Sequence, residues 1–423
     1  MVSTPIHSLS LALALLALPA TAFAQSAEDV ATAALDAAPV WDGHNDVPIQ
    51  LRGRRGNVLE GFDFHDTSAE PGFGGGEDTS AMHTDLPRLA QGKVGAQFWS
   101  VYISAALPEP EAVQATIEQI DVTKRLIHAY PDDLALALTA DDVEAALAEG
   151  KIASLLGMEG GHSIGSSLGV LRQMYDLGAR YMTVTHSTNT PWADSATADP
   201  EHDGLTDFGV LVIQEMARLG MLIDLSHVSE ATMMDAMDAT GAPVIFSHSG
   251  ARAVNGHSRN VPDNVLLRMP EQGGIVMVVG LPGYLSEDQR IWYAARQAEQ
   301  ARLEAWLQGE PEQVASGLAE WDAVNPMPLA TISDMADHID HIRDVAGIDY
   351  IGLGGDYDGM ATGPVGMEDV SGYPALFVEL ARRGYSQTDL EKIASRNMMR
   401  VLREAEAYAA GQAGVGPIES PVG

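Results

Sequence analysis

The chain has 423 residues, 46 % hydrophobic and 20 % charged, a globular composition with enough apolar material for one large barrel or two to three ordinary domains. Lys plus Arg number 24 against 59 Asp plus Glu, and the net charge of -35 excludes an electrostatic role on nucleic acid or an anionic membrane surface. Cysteine is absent, which removes disulfides, thiol nucleophiles and Cys-ligated zinc and leaves His and carboxylates to build any metal site.

The N-terminus reads as an export signal. Residues 9–18 are almost wholly apolar, and Thr21-Ala22-Phe23-Ala24 forms an A-x-A cleavage pattern before Gln25. The segment departs from the usual pattern in having His7 but no Lys or Arg before the apolar run. That run is too short to span a membrane, and residues 414–423 carry no apolar anchor signal. The expectation is a signal peptide over 1–24 and one mature domain over 25–423, exported to the periplasm or the medium, soluble and without a membrane anchor.

Near-continuous apolar runs follow at 39–46, 94–103, 152–159, 180–186, 221–227, 242–248, 274–280 and 350–356. Such runs suit parallel strands covered on both faces. Helical spacing appears between them at 110–128, at 206–219 behind a capping Thr206, at 229–240 behind a capping Ser229, at 333–345 and at 387–407. Eight strands alternating with helices predict an α/β fold, a (β/α)₈ TIM-type barrel. Two stretches exceed a minimal barrel: 52–89 after the first strand, and 281–329 after the seventh, with a charged helix around 288–308. Both leave the C-terminal face and are expected to form a lid or a substrate wall. The glycine-rich 72–76 segment lacks the Lys-Ser/Thr pair of a phosphate loop.

Residues that carry chemistry gather at the strand ends. His44 and Asp46 are two apart on an extended segment and so project to one face. Glu159 ends an apolar run, where an unpaired charge is costly unless it meets a cation. His227 and His248 end consecutive strands, so their imidazoles become neighbours and suit a metal. His186 ends the strand before them, as a further ligand or as an N–H donor to a substrate carbonyl. His162 reads as loop structure. Asp356 ends the eighth strand and is placed to accept a proton beside a metal-bound water, although Asp358 shares its face. Arg259, in the loop after His248, suits a substrate carboxylate.

These segments resemble the membrane (renal-type) dipeptidases, peptidase family M19 of the amidohydrolase superfamily. The resemblance is carried by Trp41-Asp42-Gly43-His44-Asn45-Asp46, Glu159-Gly160-Gly161-His162, Thr185-His186-Ser187-Thr188-Asn189, Ile223-Asp224-Leu225-Ser226-His227, His257-Ser258-Arg259-Asn260-Val261-Pro262-Asp263 and Gly355-Asp356-Tyr357-Asp358-Gly359. It implies two Zn2+ per chain, one held by His44 and Asp46 and the other by His227 and His248, with Glu159 bridging. It further implies that His186 contacts the scissile carbonyl oxygen, that Arg259 holds the terminal carboxylate, and that Asp356 is base and then acid. The implied reaction is dipeptide hydrolysis by a metal-bridging hydroxide, with tolerance for a C-terminal D-residue; another amidase or lactonase activity on the same centre is the alternative. The implied partners are dipeptide substrates and a second copy in a non-covalent homodimer, since no cysteine exists to link subunits.

Overall fold

The computed structural model describes residues 1–2, 25–70 and 81–419. The expected leader beyond Val2, and the 72–76 segment, lie outside the described residues. Nine strands are present among these residues: β1 (Val40–Asn45), β2 (Val94–Ser100), β3 (Leu134–Leu136), β4 (Ile152–Glu159), β5 (Ala179–Thr183), β6 (Leu222–Asp224), β7 (Val244–Phe246), β8 (Ile275–Val279) and β9 (Ile351–Gly354). All pairings between these strands are parallel, in the order β2-β1-β9-β8-β7-β6-β5-β4, and β2 closes on β4 with Ala96 opposite Ala153 and Ser100 opposite Gly157. The eight expected strands therefore make a closed (β/α)₈ barrel. β3 stands outside the eight and pairs the first residues of β4, Leu134 opposite Ile152.

Alternation along the strands builds two cores. Trp41, Phe98, Leu155, Tyr181, Ile245 and Met277 pack together as the interior, and the helix Asn397–Gly411 adds Met398, Val401 and Leu402 to the same cluster. Their neighbours in sequence, such as Val40, Trp99, Leu156, Met182 and Phe246, belong to the larger core under the surrounding helices. Ala153, Leu155, Gly157 and Glu159 share one face of β4, so the strand's last side chain enters the barrel mouth. Glycine is required at 157, because a Cβ there would stand 2.0 Å from the Tyr181 ring. At Gly354 a Cβ would meet the Ser247 carbonyl oxygen at 1.8 Å, so β9 can approach the end of β7 only without a side chain.

The helices Asp207–Leu219 and Glu230–Ala239 start behind Thr206 and Ser229 as expected, each side chain accepting a backbone N–H of the first turn. The expected single helix over 387–407 is interrupted. It runs Gln387–Glu391, widens to a π-type turn at Lys392–Arg396 and resumes as Asn397–Gly411. The turn lets Asn397 donate to the Ile348 and Ile351 carbonyls at 2.8 Å, tying it to β9. The insertion after β8 is a helical hairpin, Glu287–Trp306 and Pro311–Val324, with only Gln289 and Leu303 buried along its two helices. Among the described residues no helix is long and apolar enough to cross a membrane.

Candidate active site

Every residue singled out at a strand end reaches the C-terminal mouth of the barrel. Glu159 is the hub. Its Oε2 lies 3.4 Å from His44 Nε2, while its Oε1 lies 3.0 Å from His227 Nε2, 3.5 Å from His248 Nε2 and 3.8 Å from His186 Nε2. Asp46 Oδ2 stands 3.4 Å from the same His44 Nε2. Three overlapping sets, His44–Glu159–His248, Glu159–His186–His227 and His44–Asp46–Asp356, each bring donor atoms within 4.8 Å of one another. The helix Val47–Arg55 after β1 supplies Ile49 and Gln50, and the segment between β8 and the hairpin, with its short helix Pro282–Leu285, supplies Leu281 and Tyr284, to the walls of a cavity of about 550 Å³ over this cluster.

The chemistry of the donor set fits divalent cations. Among the described residues His44 Nε2 and Asp46 Oδ1 are buried without a hydrogen-bond partner, and the Nε2 atoms of His227 and His248 face each other at 3.0 Å. Burial pushes both His227 and His248 well below the usual imidazole range, with the Arg259 charge adding to it, so both are neutral and able to ligate. Burial would raise Glu159, but His44, His227 and His186 around it hold its carboxyl well below the usual range. Asp356 is pushed up to about 8, first by burial and then by Asp46 and Glu159, against the pull of His44 and Arg259. Carboxylates crowded so closely in a low-dielectric mouth need positive charge to stay ionised together.

A second layer fixes these side chains. Tyr181 Oη holds His44 Nδ1 at 2.7 Å from across the barrel. Ser247 Oγ donates to Asp224 Oδ2 at 2.6 Å, so it accepts from His248 Nδ1–H at 2.8 Å, and His248 Nε2 keeps a free lone pair toward the site. Asp224 also accepts the Ser226 and Ser247 N–H groups and the Thr183 hydroxyl. Asp42 accepts from the His44 and Gly355 N–H groups and from the Tyr373 hydroxyl, which ties β1 to β9. The backbone is strained where the chemistry sits: His227, Asp356 and Asp358 have φ of +71°, +61° and +67°.

The structure separates residues that spacing left open. Both line the cavity, but Asp356 joins the His44–Asp46 set, whereas Asp358 Oδ1 accepts the His83 N–H at 2.8 Å and is tied to the segment between β1 and β2. His162 is buried with its Nε2 3.3 Å from the Ile103 carbonyl, in keeping with a structural role. His186 lies beside both Glu159 and the Tyr102 ring, whose centroid is 4.8 Å away, at the cavity wall. Arg259 is 1 % exposed, and among the described residues no carboxylate pairs with it. Its Nη atoms reach Ser249 Oγ and the His248 carbonyl only at 3.4 Å, and its Nε has no partner. A buried guanidinium with such long contacts, at the cavity wall, keeps donor capacity that an anion could take up.

The sequence reading missed Tyr181, Asp224, Ser247, Tyr102 and Tyr284. Asp224 carried a signal: a carboxylate inside the apolar run 221–227 has to be hydrogen-bonded. The partners of Tyr181 and Ser247 come from strands far away in the chain, and no local pattern marks them.

Residues 28–414 match the membrane dipeptidase family, peptidase family M19. Dipeptidase 3 of Rattus norvegicus is 41 % identical over 386 residues, covering 90 % of this chain and 68 % of that protein. Dipeptidase 3 of Mus musculus is 40 % identical over 90 % of this chain and 67 % of its own length. Among solved structures, the "probable dipeptidase PvdM" of Pseudomonas aeruginosa aligns with a TM-score of 0.75 at 23 % identity, over 90 % of this chain and 99 % of that one. A metallo peptidase from Rhodobacter sphaeroides, liganded with a phosphinate mimic of the dipeptide L-Ala-D-Ala, aligns with a TM-score of 0.69 at 23 % identity, over 87 % and 99 %. At those identities the two structures speak for the fold.

Proposed function

From the premise that the chain belongs to the membrane dipeptidase family, peptidase family M19, and is a metal-dependent dipeptidase, we propose its finer chemistry. His44 and Asp46 would hold one zinc ion at the mouth and His227 and His248 a second, with the Glu159 carboxylate between them available to both. Bound there, the ions supply Lewis acidity and a water acidic enough to act as nucleophile near neutral pH.

The remaining steps belong to side chains of this protein. Arg259 takes the substrate's terminal carboxylate in its guanidinium fork and so fixes the peptide's register over the cluster. His186 offers its ring N–H to the scissile carbonyl oxygen, which becomes more negative in the transition state. Asp356 accepts the proton of the attacking water and returns it to the departing amine nitrogen. Burial raises its pKa, and positive charge held by the neighbouring His and carboxylate ligands would favour its carboxylate form. A longer peptide, or a blocked C-terminus, leaves Arg259 without its anion.

The observation that carries this reading is Arg259, buried beside a His-carboxylate cluster with no carboxylate of its own. Acceptance of a D-residue at the C-terminal position is also proposed, and the L-Ala-D-Ala mimic bound to the Rhodobacter sphaeroides metallo peptidase supports it. The same reading includes export of the mature chain and a non-covalent homodimer, which fractionation and light scattering test. The deciding experiment is hydrolysis of L-Ala-L-Ala, L-Ala-D-Ala and C-terminally amidated L-Ala-D-Ala, with and without chelator. Cleavage of the free acids alone, abolished by chelator, is the expected result. Equal cleavage of the amide moves the activity to an amidase that does not gate on the carboxylate.

A further inference from the structure

A second cavity, of about 560 Å³, adjoins the catalytic one behind Tyr284. Leu281 and Tyr284 line both, and the consecutive residues Gly359 and Met360 line the first and the second. Its outer wall is the hairpin insertion, which contributes Gln289, Tyr293 and Met327. Tyr293 is 46 % and Met327 37 % exposed, so apolar surface stands open to water there. The cavity also has polar groups in want of partners. Gln289 is 3 % exposed; its Nε2 touches only Met327 Sδ, at 3.4 Å, and its Oε1 has no partner. An amide oxygen buried without a partner is costly, and turning the Gln289 side chain toward the cavity would let a bound hydroxyl satisfy it. His257 supplies the complementary group. Its Nδ1 accepts the Arg259 N–H at 3.1 Å, so the neutral ring carries its proton on Nε2 as a donor.

The cavity lies on the Arg259 side of the site: the Arg259 guanidinium is 5.4 Å from the Tyr284 ring centroid and the His257 ring 4.4 Å from it. We propose that this second cavity is a specificity subsite for an aromatic side chain bearing a hydroxyl, tyrosine before all others, on the substrate residue whose carboxylate Arg259 holds. The inference rests on the dipeptidase reading and adds a substrate preference to it. A phenol ring covers Tyr293 and Met327, its O–H donates to Gln289 Oε1, and its oxygen accepts from His257 Nε2–H. Phenylalanine fills the same space and leaves Gln289 unsatisfied, so it is the weaker substrate.

The test uses L-Ala-Xaa peptides with Xaa Ala, Phe or Tyr, in both configurations at Xaa, on the metal-loaded full chain. In at least one configuration the expected order of kcat/KM is Tyr above Phe above Ala, with Tyr about tenfold or more over Ala. Gln289→Leu brings the Tyr to Phe ratio to about one, and Met327→Trp, which fills the cavity, collapses the Tyr to Ala ratio. Equal rates for the three peptides, or ratios unmoved by both variants, overturn the subsite. If no peptide is cleaved, the dipeptidase reading fails separately. Calorimetric binding of the same peptides then decides the cavity: tighter binding of the Tyr peptide that Gln289→Leu abolishes supports it, and equal binding overturns it.

Discussion

Replacing Arg259 by Met removes a charge and a hydrogen-bonding fork while keeping most of the volume. If Arg259 holds the substrate carboxylate as proposed, its fork would make two charge-assisted hydrogen bonds to it, each contributing about 1.5–3 kcal/mol. The site is nearly closed to water at this residue, 1 % exposed, so screening is weak. We expect a loss of about 3–4 kcal/mol in transition-state binding, a fall of roughly 10²- to 10³-fold in kcat/KM for L-Ala-L-Ala. The C-terminal amide has no anion to lose, and its already poor kcat/KM falls by about tenfold or less. Stability moves the other way. In the metal-loaded protein Arg259 is a buried cation near other cations, with hydrogen bonds only at 3.4 Å, so Met raises Tm or leaves it unchanged. Steady-state kinetics on both substrates and thermal melts of the metal-loaded protein check this. Equal losses on acid and amide, or a Tm lowered by several degrees, would refute the assignment and make Arg259 structural.

Asp356→Asn should lower kcat by about 10²- to 10⁴-fold with metal content unchanged by elemental analysis, the range for a lost general base. The metal-free protein gives a pH signature. Asp356 has a folded pKa of about 8, above its unfolded value, so its contribution to stability is present below about pH 4 and is lost as pH rises through about 8. Melts of the metal-free protein should show this loss in wild type and a smaller one in Asp356→Asn; identical curves would contradict the buried position of the carboxyl. His338 is fully buried, accepts the Ala251 N–H through Nδ1 at 2.8 Å and donates to the Leu285 carbonyl at 3.0 Å, which bolts the segment after His248 to the helix bearing Tyr284. His338→Ala should raise KM for free dipeptides more than it lowers kcat. Burial pushes His338 down to about 4, so its stability contribution is lost as pH falls from about 6.5 toward 4, and unchanged acid melts in the variant would count against it.

The barrel was legible because its strands are covered on both faces and read as unbroken apolar runs. β3, three residues long, was not: its pairing with Ile152–Ser154 is decided by tertiary contact and leaves no period in the sequence. The break at Lys392–Arg396 escaped for a similar reason, since Asn397 turns toward the carbonyls of Ile348 and Ile351, some 46 residues back along the chain. The site was legible at its metal-type ligands, which ended those strands as isolated charges. Spacing could not tell Asp356 from Asp358, because both follow the same strand; in the fold Asp356 stands with His44 and Asp46, while Asp358 Oδ1 accepts the His83 N–H. The supporting layer of Tyr181, Ser247 and Asp224 is assembled across three strands. The second cavity depends on how a hairpin of exposed helices folds over Tyr284, which helical periodicity does not specify.

Hydrolysis is expected to require two metal ions held around the Glu159 carboxylate. The most direct measurement is a titration of metal-free protein with zinc, following bound metal by elemental analysis and L-Ala-L-Ala hydrolysis on the same samples, with Glu159→Gln in parallel. Wild type should bind two ions per chain with activity rising with occupancy, and both should fall in Glu159→Gln, whose amide offers one fewer anionic oxygen to share. Full hydrolysis by metal-free protein, or saturation at a single ion with Glu159→Gln indistinguishable from wild type, would contradict that requirement.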